Sequence, residues 1–163
     1  MLRTTGKVVP FYITNNNSSE FRDRVSKCSF AILYHSKTRG RLNITDVTDS
    51  LYDNEVTHMS KALGKEKVLV MMDDVDDSSD WAKKNILHNQ PTILNQTRDL
   101  YLFTREEKEN KERIKEKLQT HPEYTHSGVI QLSDIRCGRD SHPVCAMDSL
   151  LHQCLSRRYL DII

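Results

Sequence analysis

Only five of the 163 residues are glycine. None of them completes a G-x-x-x-x-G-K-[ST] string, so no loop here has the backbone needed to wrap a triphosphate. That excludes a P-loop nucleotidase. No G-x-S-x-G elbow occurs either, which removes the strand-to-helix serine nucleophile of the α/β-hydrolases. The four cysteines, Cys28, Cys137, Cys145 and Cys154, form no C-x-x-C pair. A chain of this length buries a sufficient core without disulfides. Charge of one sign is also lacking: 24 basic and 23 acidic residues leave a formal net charge of +1. A dedicated nucleic-acid binder carries a pronounced basic excess. The longest apolar runs, "FAILY" and "VLVMM", fall far short of a bilayer span, and the opening "MLRTTGKVVPFYIT" turns polar before a secretory apolar region develops. The expectation is a cytoplasmic protein whose partners are neither nucleic acid nor membrane.

Short apolar strands alternating with amphipathic stretches are what the chain does contain. Lys7–Ile13, Ser29–His35, Lys67–Met72, Asp99–Phe103 and Gly128–Leu132 read as five strands. The second and third lack polar alternation, as strands buried on both faces do. Between the strands, Phe21 and Val25 mark a short helix behind Ser18 or Ser19. Val47, Leu51, Tyr52, Val56, Met59 and Leu63 mark a second helix starting at Thr45 or Asp46 and ending at Gly64. Ser78 or Ser79 caps a third, with Trp81, Ala82 and Ile86 turned inward and Pro91 beyond its end. Thr104 and Glu107 form a capping box for one charged helix reaching Gln119, and Met147, Leu150, Leu151, Cys154 and Leu155 line a last helix.

Strands separated by helices predict right-handed crossovers and a parallel sheet covered on both faces. The expected fold is therefore a single α/β domain over residues 1–163: three α/β/α layers around a five-stranded, mostly parallel sheet, flavodoxin-like or Rossmann-like, in strand order 2-1-3-4-5. The apolar ending "YLDII" reads as the edge of a domain cut from a longer protein.

In such sheets ligands gather outside the carboxyl ends of the strands, where the strand order reverses. The expected crevice lies between "TNNNSS" and "DDVDDSSD", which nominates Asn15, Ser18, Ser19, Asp73 and Asp74. The basic loop "HSKTRGR" adds His35, Lys37, Arg39 and Arg41 as groups for an anion or an acidic partner surface. "VLVMMDD" resembles a Walker B strand end, and Asp73 occupies the acceptor position of a receiver domain. The glycine loop of the first and the partner acids of the second are missing, which leaves Mg²⁺ too few oxygen ligands. Cys137, His142, Cys145, His152 and Cys154 bring nitrogen and sulfur ligands close in sequence, but in no paired zinc spacing. Neither metal nor cofactor is expected, and no catalytic residue is nominated. The reading is a non-enzymatic interaction or regulatory module that meets a protein partner or a second copy of itself. The competing reading is a nucleotide- or anion-binding enzyme or sensor at the carboxyl edge of the sheet.

Overall fold

The computed structural model describes residues 11–119. Phe11–Arg105 is one compact unit, and 106–119 belong to a second. The first unit runs α1 (Ser18–Ser26), β1 (Ala31–Ser36), α2 (Asp53–Leu63), β2 (Val68–Asp73), α3 (Asp80–Asn89), α4 (Pro91–Gln96) and β3 (Asp99–Phe103). The three strands are parallel in the order β1-β2-β3, with Leu33 opposite Val70 and Val70 opposite Leu100.

This overturns the five-stranded, flavodoxin-like or Rossmann-like sheet. Among the described residues three strands stand where five were expected; residues 7–10 of the expected first strand and all of the expected strand Gly128–Leu132 lie outside them. Of the expected first strand, Phe11–Ile13 is not extended into a sheet. The Asn17 side chain explains why: its amide donates to the Tyr12 carbonyl at 2.6 Å, and its Oδ1 accepts from the Thr14 amide at 2.9 Å. Backbone groups that a neighbouring strand would have paired are satisfied locally by an Asn side chain. The order 2-1-3-4-5 fails for a second reason, because β1 pairs with β2 directly along six residues.

Sequential order has a consequence for the helices. Two right-handed crossovers taken in the same direction place their helices on the same face of the sheet. Accordingly α2 packs on α4, α4 on α3, and both crossovers meet the strands. Strand alternation gives that face Leu33, Val70, Met72, Leu100 and Leu102. They share one buried cluster with Val56 and Met59 of α2, Ile93 of α4 and Ile44. The other face carries Leu69, Met71, Asp73, Tyr101 and Phe103, all buried. β2 is thus buried on both faces, as its unbroken apolar run predicts, whereas Ile32 and Tyr34 of β1 are half-buried.

Local signals hold where they act over a few residues. Ser79 caps α3, its hydroxyl accepting from the Ala82 amide at 3.2 Å. Gly64 ends α2 at φ 88°, a backbone conformation that L side chains rarely adopt. Ser79→Ala removes the side-chain acceptor of the Ala82 amide, so a urea melt should read a loss of about 0.5–2 kcal/mol. A melt indistinguishable from wild type would refute that role.

Two expected helices differ. The segment before Asp53 is not helical, because Asp46 and Asp49 take φ of 59° and 56°. Asp is among the few non-glycine residues that visit this left-handed region. Here the Asp46 carboxylate accepts from Thr92 N at 2.8 Å and Thr92 Oγ1 at 2.7 Å, while Leu51 N and Tyr52 N both donate to the Ile44 carbonyl at 3.0 Å. The chain from Arg41 to Tyr52 is a folded loop rather than a helical turn. Beyond the first unit, the single charged helix is two, α5 (Arg105–Glu109) and α6 (Lys111–Gln119). Asn110 makes the break, its Oδ1 accepting from Glu112 N at 3.1 Å and Arg113 N at 3.2 Å as a new N-cap. Within this unit Lys117 pairs with Glu107 at 2.8 Å. Among the described residues, no helix is long and apolar enough to cross a membrane.

Candidate functional site

The carboxyl ends of β1 and β2 lie side by side, with Tyr34 opposite Met71, His35 opposite Met72 and Ser36 opposite Asp73. This register brings the acidic and basic loops together. Tyr34 and Ser36 share one face of β1 because they are two residues apart. The Tyr34 hydroxyl donates to Asp73 Oδ2, and the Ser36 hydroxyl donates to Asp74 Oδ2 at 3.0 Å and meets Thr38 Oγ1 at 2.8 Å. Lys37 forms an ion pair with Asp76. One pair of opposite charges from the two loops is thereby joined within the chain.

Asp73 is fully buried. Burial comes first, and the Asp73 hydrogen bond and charge second, in holding the Tyr34 phenol far above its usual range. Tyr34 therefore stays protonated and serves as a fixed donor, not as a base. Asp74 turns the chain out of β2 with φ 54°, which directs Val75 back so that its amide reaches the Phe103 carbonyl at 3.3 Å. The acidic stretch after β2 is a hydrogen-bonded exit from the strand.

His35 lies on the other face of β1 and is 2% exposed. Its Nε2 is 3.1 Å from the Arg41 carbonyl, and its ring meets the edge of Tyr52 at 5.8 Å between centroids. Burial lowers the His35 pKa, the Arg41 bond opposes that shift, and the Arg39 charge adds to it. Arg41 turns away from the sheet edge and donates to the carbonyls of Thr48, at 3.1 Å, and Asp49. Arg39 is exposed in the turn that follows β1.

Asn15 and Ser18 are placed elsewhere. They line a polar depression of about 350 Å³ with Thr14, Ser50, Tyr52 and Asp53, and none of Lys37, Arg39, Asp73 or Asp74 borders it. Ser19 is exposed in the first turn of α1. The crevice expected between "TNNNSS" and "DDVDDSSD" does not form, because the described strand order contains no reversal and so no switch point. Two acidic side chains, Asp53 and Glu55, border the depression as well.

Among the described residues, no group of three or more His, Cys, Asp or Glu side chains is arranged to hold a metal ion. The cluster Cys137, His142, Cys145, His152 and Cys154 lies outside them. Cys28 is half-buried, its thiol donating to the Arg24 carbonyl at 3.2 Å, and burial pushes its pKa up. It lacks the thiolate character a nucleophile needs.

Sequence reasoning missed three residues. Tyr34 and Ser36 carry the contacts to Asp73 and Asp74, and their two-residue spacing was the available signal, useful only once the register is known. Gln90, fully buried, gave no signal: its Oε1 accepts from Ile44 N at 2.8 Å and Thr45 N at 3.0 Å, and its Nε2 donates to the Leu42 carbonyl at 3.0 Å. It anchors the 41–52 loop from across the fold. Trp81, expected in the core, is 72% exposed in the first turn of α3, and only Ala82 of that helix is buried.

The chain matches no protein-family model, no curated protein and no solved structure.

Proposed function

We propose that this protein is a non-enzymatic interaction or regulatory module that binds a protein partner, or a second copy of itself, around Trp81. The exposed Trp81 side chain carries the reading. A large aromatic in water gains free energy by docking, and tryptophan is among the residues that most often dominate an interface. Asp76, Asp77 and Asp80 are exposed within five positions of it, and Leu94 of α4 is a second exposed apolar side chain. The carboxylates of the strand end support a binding role over catalysis, since Tyr34, Ser36 and Lys37 already engage them.

Trp81 is the single tryptophan, so intrinsic fluorescence reports this site alone. Complex formation should shift its emission from the water-exposed to the buried range. Trp81→Ala should abolish the complex while altering stability by no more than about 0.5 kcal/mol. Sedimentation across protein concentration tests self-association, and cross-linking to a purified candidate tests a partner. A monomer at every concentration whose Trp81 emission never responds would refute the reading.

The anionic-ligand reading draws on Arg39, exposed in the turn that follows β1. A thermal-shift series with nucleotides and Mg²⁺ tests it, because ligand at 100-fold over Kd stabilises by about 2.7 kcal/mol. No shift with any member removes it.

A further inference from the structure

His35 holds a position that its packing does not require to be histidine. The ring is buried on the helix-facing side of β1, in register with Met72. Its Nε2 faces a carbonyl, which accepts only, so Nε2 carries the hydrogen and Nδ1 is the bare, basic nitrogen. That Nδ1 is buried and has no hydrogen-bond partner among the described residues. A proton arriving there creates a cation with an unpaired N–H in a dry site, a state that folded proteins avoid.

The groups facing the ring do not compensate for such a charge. The Lys37–Arg39 turn brings the Arg39 guanidinium, which opposes protonation, and burial opposes it more strongly still. Asp73 of β2 favours the charged form, the smallest of the influences, and is itself committed to Tyr34. From the start of α2 comes the Tyr52 ring edge, and Glu55 acts on Tyr52. The Arg41 side chain is turned toward Thr48 and Asp49.

We infer that His35 is an acid-sensitive latch on the turn from Lys37 to Arg41: protonation of Nδ1 drives that turn off the end of β1 until the imidazolium reaches water, while Gln90 keeps Leu42, Ile44 and Thr45 in place. The covering layer suits this. Thr38, Arg39, Gly40 and Arg41 are exposed, and the turn they form contains a single described backbone hydrogen bond, Gly40 N to the Lys37 carbonyl. Lifting it separates Lys37 from Asp76 and removes Arg41 from the Thr48 and Asp49 carbonyls. The strands need not separate. The latched state is favoured above the ordinary histidine pKa and weakens as pH falls below it. Binding one proton on opening raises the opening constant by up to about tenfold per pH unit below roughly 6.5.

Hydrogen exchange of the full chain at pH 7.5 and 5.5, corrected for the intrinsic pH dependence of exchange, tests the latch. Peptides covering 37–41 should lose several-fold to tenfold in protection at the lower pH, while those covering β2 and β3 hold theirs. In His35→Gln, whose amide still donates to the Arg41 carbonyl but takes up no proton, the difference should vanish. An unchanged wild-type segment, an equal loss in His35→Gln, or a loss spread evenly over β2 and β3 overturns the proposal. Should the variant fail to fold, an NMR titration of wild type decides. An assigned His35 ring titrating below the ordinary histidine range in concert with amides of 37–41 supports the latch. A ring titrating at the ordinary value while those amides stay fixed overturns it.

Discussion

Gln90→Leu is expected to lower the free energy of unfolding by about 3–5 kcal/mol, a loss reserved for broken buried networks. One side chain satisfies the Ile44 and Thr45 amides and the Leu42 carbonyl, 45 to 48 residues away in sequence. Ile44 and Thr45 are fully buried, so water cannot replace the lost acceptor. Each stranded group costs about 1–3 kcal/mol. In a domain with about 5–15 kcal/mol of total stability this is a large fraction. Urea melts should show the midpoint falling at unchanged m. Gln90→Glu adds a sign: its carboxyl regains the donor to Leu42 only when protonated, so that variant should recover stability as pH falls. A Gln90→Leu midpoint close to wild type would mean the loop is held by something else.

Tyr34→Phe is the second large effect, expected at about 1.5–3 kcal/mol because the lost hydrogen bond ends on a buried carboxylate. The ring is kept, so packing changes little, and the loss isolates the hydroxyl. The pH dependence has a definite sign. The native phenol ionises far above its unfolded value, so its contribution is complete below about pH 10 and is lost as pH rises beyond it. Tyr34→Phe should lose less stability than wild type between neutral pH and pH 11, with Tyr52, also raised by burial, supplying part of the remaining loss. Equal alkaline slopes in the two proteins would contradict the Tyr34–Asp73 bond. The same variant bears on function: if Asp73 serves only to hold β1 to β2, Tyr34→Phe changes stability and leaves Trp81-dependent binding intact.

The acidic stretch after β2 shows how far a motif can be read from sequence. Five apolar residues followed by Asp73 and Asp74 promised a strand end, and the strand ends there. What the carboxylates do was not legible, because their partners are 38 and 39 residues away on β1. Trp81 is the opposite case. Its place three residues before Lys84 and one before Ala82 fits an inward face as well as an outward one. Only the way α3 settles, with Ala82 alone buried, puts the indole in water.

Signals acting within about four residues were therefore determined by the sequence itself. The Ser79 cap, the Gly64 stop, the buried run of β2 and the missing phosphate loop all follow from side-chain reach, backbone sterics or a string that is not there. Tertiary structure alone decided the sequential strand order, the folded loop at Asp46 and Asp49, and the separation of Asn15 and Ser18 from the acidic strand end. It also decided the roles of Gln90, Tyr34 and His35. Each depends on a partner more than four residues distant, and the free energy of such a contact exists only after the chain has closed the loop that creates it.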